Sequence, residues 1–389
     1  MTRSLLVFIN RKLISIDTIL PLICEVKNYK KNIKIKVICP DHSTFSSINK
    51  NLFIRDQIEN NADLIILSLR NHEGKRTFKS ILQAIIYLIY ICKEALLFKT
   101  AFIHFGLLFK TPFKYLNILN RDHVFFAESD SYGFTQLMQD VTFLEYNSPR
   151  IYPDTSSSHL ISFSKNWYLA NHKRKKNKNT FYFGTPRTRK FWKDLLKLKS
   201  EKYISDELKK NNILGERQFI SIMLGYFGEL KYLSNKDSVA NALEDTINVL
   251  SKCIKNEVLI LKPHVITDIE IVEKILSKYK NIKYIISNLH PMVLASRTKF
   301  AIANYYSTTL SDFKSLGVKT LEYTDYCDEA LILTNNGSLR PDKVDYFINK
   351  NPSRLEEVIN ILLKNPEYKK PEIKEENPNE LFSALVGKV

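Results

Sequence analysis

The sequence predicts an α/β protein built from two Rossmann-like doubly wound domains facing a cleft. Its 389 residues exceed what one hydrophobic core usually serves, and about 150 residues per domain gives two. Short apolar runs without polar alternation recur along the chain, separated by segments long enough for helices, as expected for parallel strands buried on both faces and joined by right-handed crossovers. This alternation occurs twice, on either side of a polar, basic stretch.

The N-terminal domain, residues 1–170, carries strand-like runs at 5–9 (LLVFI), 33–39 (IKIKVIC), 64–69 (LIILSL), 102–105 (FIHF) and 124–126 (VFF), with helical segments at 16–28 and 77–97. The first run is short, is followed by Arg11 and Lys12, and has no small-residue cleavage site. It reads as a buried strand and not as a signal peptide, which predicts a cytoplasmic protein. The apolar run 81–92 (ILQAIIYLIYIC) falls well short of the ~20 residues needed to span a bilayer and reads as a buried or interfacial helix.

Residues 171–215 read as a basic linker region. They hold the block 172–178 (HKRKKNK), which suits either a solvated loop or contact with anionic lipid or polymer, a turn at Gly184-Thr185-Pro186, and a helical segment at 189–198. Residues 216–364 form the predicted C-terminal domain. Its strand-like runs are 219–224 (FISIML), 258–261 (VLIL), 282–286 (IKYII), 300–303 (FAIA), 318–321 (VKTL) and 330–333 (ALIL), with helices at 237–254, 268–279 and 310–316. Residues 365–389 are rich in Pro and charge and read as a surface strap or a disordered tail.

The 58 Lys and Arg against 41 Asp and Glu give a net charge of +17, with 44% apolar residues and 25% charged. That composition excludes disordered, collagen-like and coiled-coil classes. Five scattered cysteines without a C-x-x-C pair predict neither a disulfide framework nor a zinc site, and a reducing compartment. The positive charge alone suits nucleic acid, anionic lipid or an acidic polymer. No RRM, KH or helix-turn-helix pattern accompanies it, so a basic nucleic-acid-binding protein is the non-enzyme alternative and nucleic acid is not an expected partner.

In open parallel sheets ligands bind beyond the carboxyl ends of the strands, so the residues just past each run are the candidates. After 219–224 come Gly225-Tyr226-Phe227-Gly228, where glycines let backbone N–H groups approach a nucleotide, or simply make a tight turn. After 258–261 come Lys262-Pro263-His264, a cation and an imidazole suited to a phosphate; a capped or core histidine is the alternative. After 300–303 come Ser307, Thr308 and Thr309, three hydroxyls opening a helix, as an anion site or as N-caps. After 124–126 come Glu128, Asp130 and Gly133, carboxylates able to deprotonate an acceptor hydroxyl, or to form an Asx turn or cap.

These four stations together resemble the GT-B glycosyltransferases, and within them the bacterial sialyltransferases, polysialyltransferases and capsule Kdo transferases that use CMP-activated sugars. The resemblance implies that Glu128 and Asp130 with Gly133 stand for the acidic motif that supplies the general base. It implies that His264 stands for the nucleotide-binding histidine of a His-Pro motif, and that Ser307, Thr308 and Thr309 stand for the hydroxyl motif around the phosphate. Here the acidic motif is stretched to E-S-D-S-Y-G, and Val265 follows His264 where the family has Pro. A true His-Pro pair at His290-Pro291 looks like the start of a helix and ranks second. The segment 305–326 also resembles the CDP-glycerol polymerases of teichoic acid synthesis, which makes a polyol-phosphate transferase the alternative.

The expected reaction is transfer of a sugar, of the sialic acid or Kdo kind, from a CMP-sugar to a hydroxyl of a bacterial glycan or glycolipid such as capsule or lipopolysaccharide. Asp130 or Glu128 serves as base, with Asp130 marginally favoured, and Gly225, Lys262, His264 and Ser307–Thr309 hold the donor. No metal and no cofactor beyond the donor is expected. Excess cations predict a peripheral place at the inner face of the cytoplasmic membrane, on an anionic surface.

Overall fold

The computed structural model describes residues 4–9, 13–39, 41–66, 78–96, 100–105, 123–127, 159–163, 165, 168–169, 179–213, 215, 217–264, 266–364 and 377–387. The chain divides into two compact units, Met1–Lys193 with Ile373–Val389, and Asp194–Glu372. Each is built on a parallel sheet.

In the first unit the strands are β1 (Ser4–Phe8), β2 (Lys34–Cys39), β3 (Asp63–Ile66), β4 (Thr100–Phe105), β5 (Val124–Ala127), β6 (His159–Ser162) and β7 (Asn179–Tyr182). They form one seven-stranded sheet in the order β3-β2-β1-β4-β5-β6-β7, and every pairing is parallel. The order reverses between β1 and β4, the hallmark of a doubly wound sheet. Leu5–Phe8, Phe102 and Phe125 are buried because both faces of the central strands are covered.

The helix Leu13–Tyr29 is tied by charge to the segment that follows β7. Arg189 grips Glu25 through two parallel bonds of 2.6 and 2.9 Å, donates to the Phe183 carbonyl at 2.8 Å and stacks on the Phe183 ring. Arg187 pairs with Asp17 at 3.1 Å beside it. The short helix Asn379–Val386 packs on the same helix: Phe382 meets the Tyr29 ring at 5.2 Å, and Lys30 Nζ donates to the Val386 carbonyl at 2.9 Å.

In the second unit β8 (Phe219–Met223), β9 (Val258–Lys262), β10 (Tyr284–Ile286), β11 (Thr298–Ala303), β12 (Lys319–Thr324) and β13 (Tyr346–Asn349) form a six-stranded sheet, in the order β10-β9-β8-β11-β12-β13. Again every pairing is parallel, and the order reverses between β8 and β11. The helices Ser238–Cys253 and Pro352–Lys364 press Leu243, Ile247, Leu250, Leu355 and Ile359 onto the strands to close the core. No helix among the described residues is long and apolar enough to cross a membrane.

Several expectations differ from the structure. Residues 330–333, read as a strand, lie in the helix Asp328–Leu333. Acids at Asp328 and Glu329 favour its N-terminus, and Ile332 is 80% exposed, so the run was not a core run. The sixth strand is instead β13, an edge strand with only Ile348 buried, too weakly apolar to stand out. The stretch 171–215 contains β7 and the helix Lys190–Lys210, and the division between units falls within that helix. Strand β7 is four residues long and half-covered at the sheet edge, which is why its sequence reads as loop.

Candidate functional site

The described candidates collect on one edge of the second sheet. Gly225 follows β8, Lys262 ends β9 with His264 two residues on, and Ser307–Thr309 follow β11. Because β9, β8 and β11 are consecutive neighbours running in the same direction, all three segments emerge from their carboxyl ends side by side. The middle junction, between β8 and β11, is the point where the strand order reverses and where loops part to leave room for a ligand. Glu128, Asp130 and Gly133 lie outside the described residues; β5 ends at Ala127, immediately before them.

Two of these segments are fastened to each other. The Thr267 hydroxyl donates to the Gly225 carbonyl at 2.9 Å and accepts the His264 N–H at 2.8 Å. The tie holds His264 at the edge with its ring exposed, Nδ1 lying 3.4 Å from the Ile266 N–H. Gly225 has a φ outside the left-handed region, and a Cβ placed there would meet nothing within 4 Å. The space that a side chain would take at this glycine is therefore open.

At the third segment, the Thr309 N–H donates to Ser307 Oγ at 3.3 Å, a local turn that uses one of the three hydroxyls. The Thr308 and Thr309 side chains are half-buried and make no hydrogen bond to a described residue. The helix that follows, Leu310–Ser315, is six residues long, shorter than the sequence implied, and stops at Gly317, whose φ of 82° returns the chain through the left-handed region. So short a helix contributes little dipole, and any anion held here rests on hydroxyls and local N–H groups.

His290 plays a structural part. It is fully buried, and its Nδ1 accepts the Met292 N–H at 3.1 Å as the cap of the helix Pro291–Ala295. Of the two histidines, only His264 presents its ring to solvent.

Beneath the edge lies a cluster to which the sequence reading gave no role. Glu322, the fourth residue of β12, is buried, and burial pushes its carboxyl up to about 7. Ser338 Oγ donates to Glu322 Oε2 at 2.8 Å and accepts the Arg340 N–H at 2.9 Å. The Tyr326 hydroxyl sits beside the same carboxylate in a contact short of hydrogen-bond geometry, and burial next to Glu322 drives its pKa far up. Tyr305 and Tyr306, with ring centroids 4.0 Å apart, complete the group; burial first of all raises Tyr306 to about 12.

The loop after β8 folds over this cluster. The Lys231 carbonyl accepts from the Tyr305 hydroxyl at 2.9 Å, and the Tyr232 carbonyl from the Cys327 N–H at 3.0 Å. Asp325 accepts from Ser234 and Ser238 at 2.7 and 3.0 Å. Tyr232, nearly buried, holds a φ of 75°, a costly conformation for a bulky side chain that these bonds enforce. The only sequence signal for the cluster was a glutamate between Leu321 and Tyr323, in a strand that also carries Lys319, Thr320 and Thr324. Among the described residues, no three or more His, Cys, Asp or Glu side chains group closely enough to hold a metal ion.

No protein-family model matches the chain, and no curated protein matches it in sequence. Solved structures do match its fold. The UDP-GlcNAc 2-epimerase of Methanocaldococcus jannaschii, solved with UDP-GlcNAc and UDP, superimposes with a TM-score of 0.53 at 16% identity, covering 95% of each chain. The UDP-GlcNAc 2-epimerase of Neisseria meningitidis, bound to UDP-GlcNAc, gives 0.54 at 16% identity, covering 98% of this chain and 96% of the other. The fold is of the GT-B type that these nucleotide-sugar enzymes share.

Proposed function

We propose that the protein is a metal-independent glycosyltransferase that moves a sugar from a nucleotide-activated donor to a hydroxyl of a bacterial surface glycan, the donor being a CMP-sugar of the sialic acid or Kdo kind. The observation that carries this reading is the convergence of Gly225, Lys262, His264 and Ser307–Thr309 on three adjacent strand ends at the reversal of the second sheet. In the proposed reaction the acceptor oxygen bonds to the anomeric carbon as the bond from that carbon to the phosphate oxygen breaks. The proton passes to Glu128 or Asp130. The Lys262 ammonium, the His264 imidazole and the Thr308 and Thr309 hydroxyls take up the charge growing on the departing phosphate. The excess of cations supports work at the inner face of the cytoplasmic membrane, on a glycan or glycolipid acceptor.

A second reading is favoured by the fold likeness: the neighbours were solved with UDP or UDP-GlcNAc, which supports a uridine nucleotide at the same edge and extends the reaction types to sugar epimerisation. Titration calorimetry with CMP, UDP and CDP-glycerol, followed by turnover assays with CMP-sialic acid, CMP-Kdo and UDP-GlcNAc, separates the readings. Tightest binding of CMP and release of CMP in the presence of acceptor are expected. Binding of UDP with epimerised UDP-sugar as product replaces the transferase, and binding of no nucleotide removes both. His264→Ala is expected to weaken nucleotide binding about tenfold, the loss of one charge-assisted contact.

A further inference from the structure

The helix Phe78–Leu96 of the first unit is apolar on two sides but covered on only one. Its inner side docks on the sheet through Ile91, 6% exposed, and through Tyr90, whose hydroxyl accepts from Lys36 at 2.6 Å. On that side too lies Glu94, the only acid of the helix, accepting from Thr100 Oγ1 at 2.9 Å and from Ser4 Oγ at 3.5 Å. The opposite side presents Phe78, Leu82, Ile85, Ile86, Ile89 and Leu96, exposed by 82, 48, 51, 59, 64 and 58% among the described residues. Steps of three and four residues from Phe78 to Ile89, and of seven from Ile89 to Leu96, align them in one stripe along the helix. Lys93 lies exposed within the stripe.

We propose that this stripe is an interfacial membrane anchor that lies in the headgroup region of an anionic bilayer. The charge pattern selects this occupant. The exposed face carries a cation and no described carboxylate, and the sequence adds Lys75, Arg76, Lys79 and Lys99 around the ends of the helix. A second copy of the chain would bring the same apolar face and the same lysine, with no counter-charge for either Lys93. An anionic lipid surface accepts both parts, the side chains entering the acyl boundary and the ammonium groups meeting phosphates. Three charges, Lys79, Lys93 and Glu94, keep the helix from the character of a membrane span, in keeping with a segment that lies on a bilayer and does not cross it. Attachment of this kind has an apolar part, so it outlasts the screening that would release a purely electrostatic one.

The test is flotation of the full chain with phosphatidylcholine vesicles containing or lacking about 30% phosphatidylglycerol, at low salt and at about 0.5 M salt. The parent is expected to float with the anionic vesicles, to retain part of its binding at high salt, and to slow amide exchange across residues 78–96 when vesicles are added. Ile89→Glu, at an exposed position, is expected to keep the parent's melting temperature and lose at least tenfold in vesicle partition at both salts; Lys93→Glu is expected to lose mainly the low-salt part. Flotation of Ile89→Glu equal to the parent, or no flotation of the parent, overturns the proposal. So does a dimer of the parent that Ile89→Glu dissociates without any vesicle binding, which would assign the face to contact between copies.

Discussion

The Thr267 hydroxyl and the Gly225 carbonyl lie 2.9 Å apart although 42 positions separate them in the chain. Through this bond the loop that carries His264 is set against the loop that leaves β8, so the imidazole and the glycine are placed as a pair. Thr267→Val keeps the shape and deletes both bonds of the hydroxyl. The expected outcome is a loss of about 1 kcal/mol or less in stability, because the site is half-exposed, with a several-fold weaker nucleotide affinity from the freed His264. Calorimetric titration beside thermal unfolding separates the two effects.

Gly225→Ala tests whether a ligand occupies the space above the glycine. Nothing in the protein lies within 4 Å of the added Cβ and no left-handed φ is required, so the variant should melt within a degree or two of the parent. A phosphate or ribose lying against the backbone would meet the methyl group. Nucleotide affinity is expected to fall at least about fivefold, an overpacking cost of ~1 kcal/mol, and an unchanged affinity would move the ligand away from β8.

Glu322 gives a pH signature. Its folded carboxyl titrates at about 7 against an ordinary value of 4.5, so the native state binds the extra proton between these values. Stability from this group is fully present below pH 4.5 and is lost as pH rises through 7, by at most about 3 kcal/mol. Glu322→Gln keeps an acceptor for Ser338 and cannot ionise. Its denaturant midpoint should vary less than that of the parent between pH 5 and 8, and exceed it at pH 8.

The Arg189–Glu25 pair is the opposite case, charges that are buried and satisfied. Both side chains are 7% exposed and joined by two bonds, and Arg189 also closes onto the Phe183 carbonyl. Arg189→Leu removes both bonds and the counter-charge from the buried Glu25 carboxylate and should cost about 3–5 kcal/mol. Adding Glu25→Leu should return a measurable part of that loss, which urea denaturation of the single and double variants will register.

Some of this was readable from residues alone, for identifiable reasons. The runs at 219–224 and 258–261 announce β8 and β9 because strands covered on both faces need no polar alternation. Their ends then single out Gly225, Lys262 and His264. Strands β6 (HLIS) and β7 (NTFY) escaped notice because each has polar residues at two of its four positions, and β7 is half-covered. His290 ranks second because it looks like the start of a helix, and it does cap Pro291–Ala295; its full burial is a property that the shared His and Pro residues do not encode. Glu322 was visible as a charge inside a strand, but the group around it draws on Tyr305, Tyr306, Tyr326, Ser338 and Arg340, brought together from three loops that only the sheet order makes neighbours.

The helix Asn379–Val386 completes the first unit from the far side of the second in sequence, covering Tyr29 and fastening Lys30. A ribosome delivers residues in order, at about 5–20 per second, so every residue of Asp194–Glu372 emerges before that helix does. The second unit can therefore reach its native state while the first still lacks a piece of its own core, with Leu381, Leu385 and Val386 yet to be buried. During synthesis the earlier-made half of the molecule is the later to mature, and it is the half that a stalled or prematurely released chain would leave exposed to proteases.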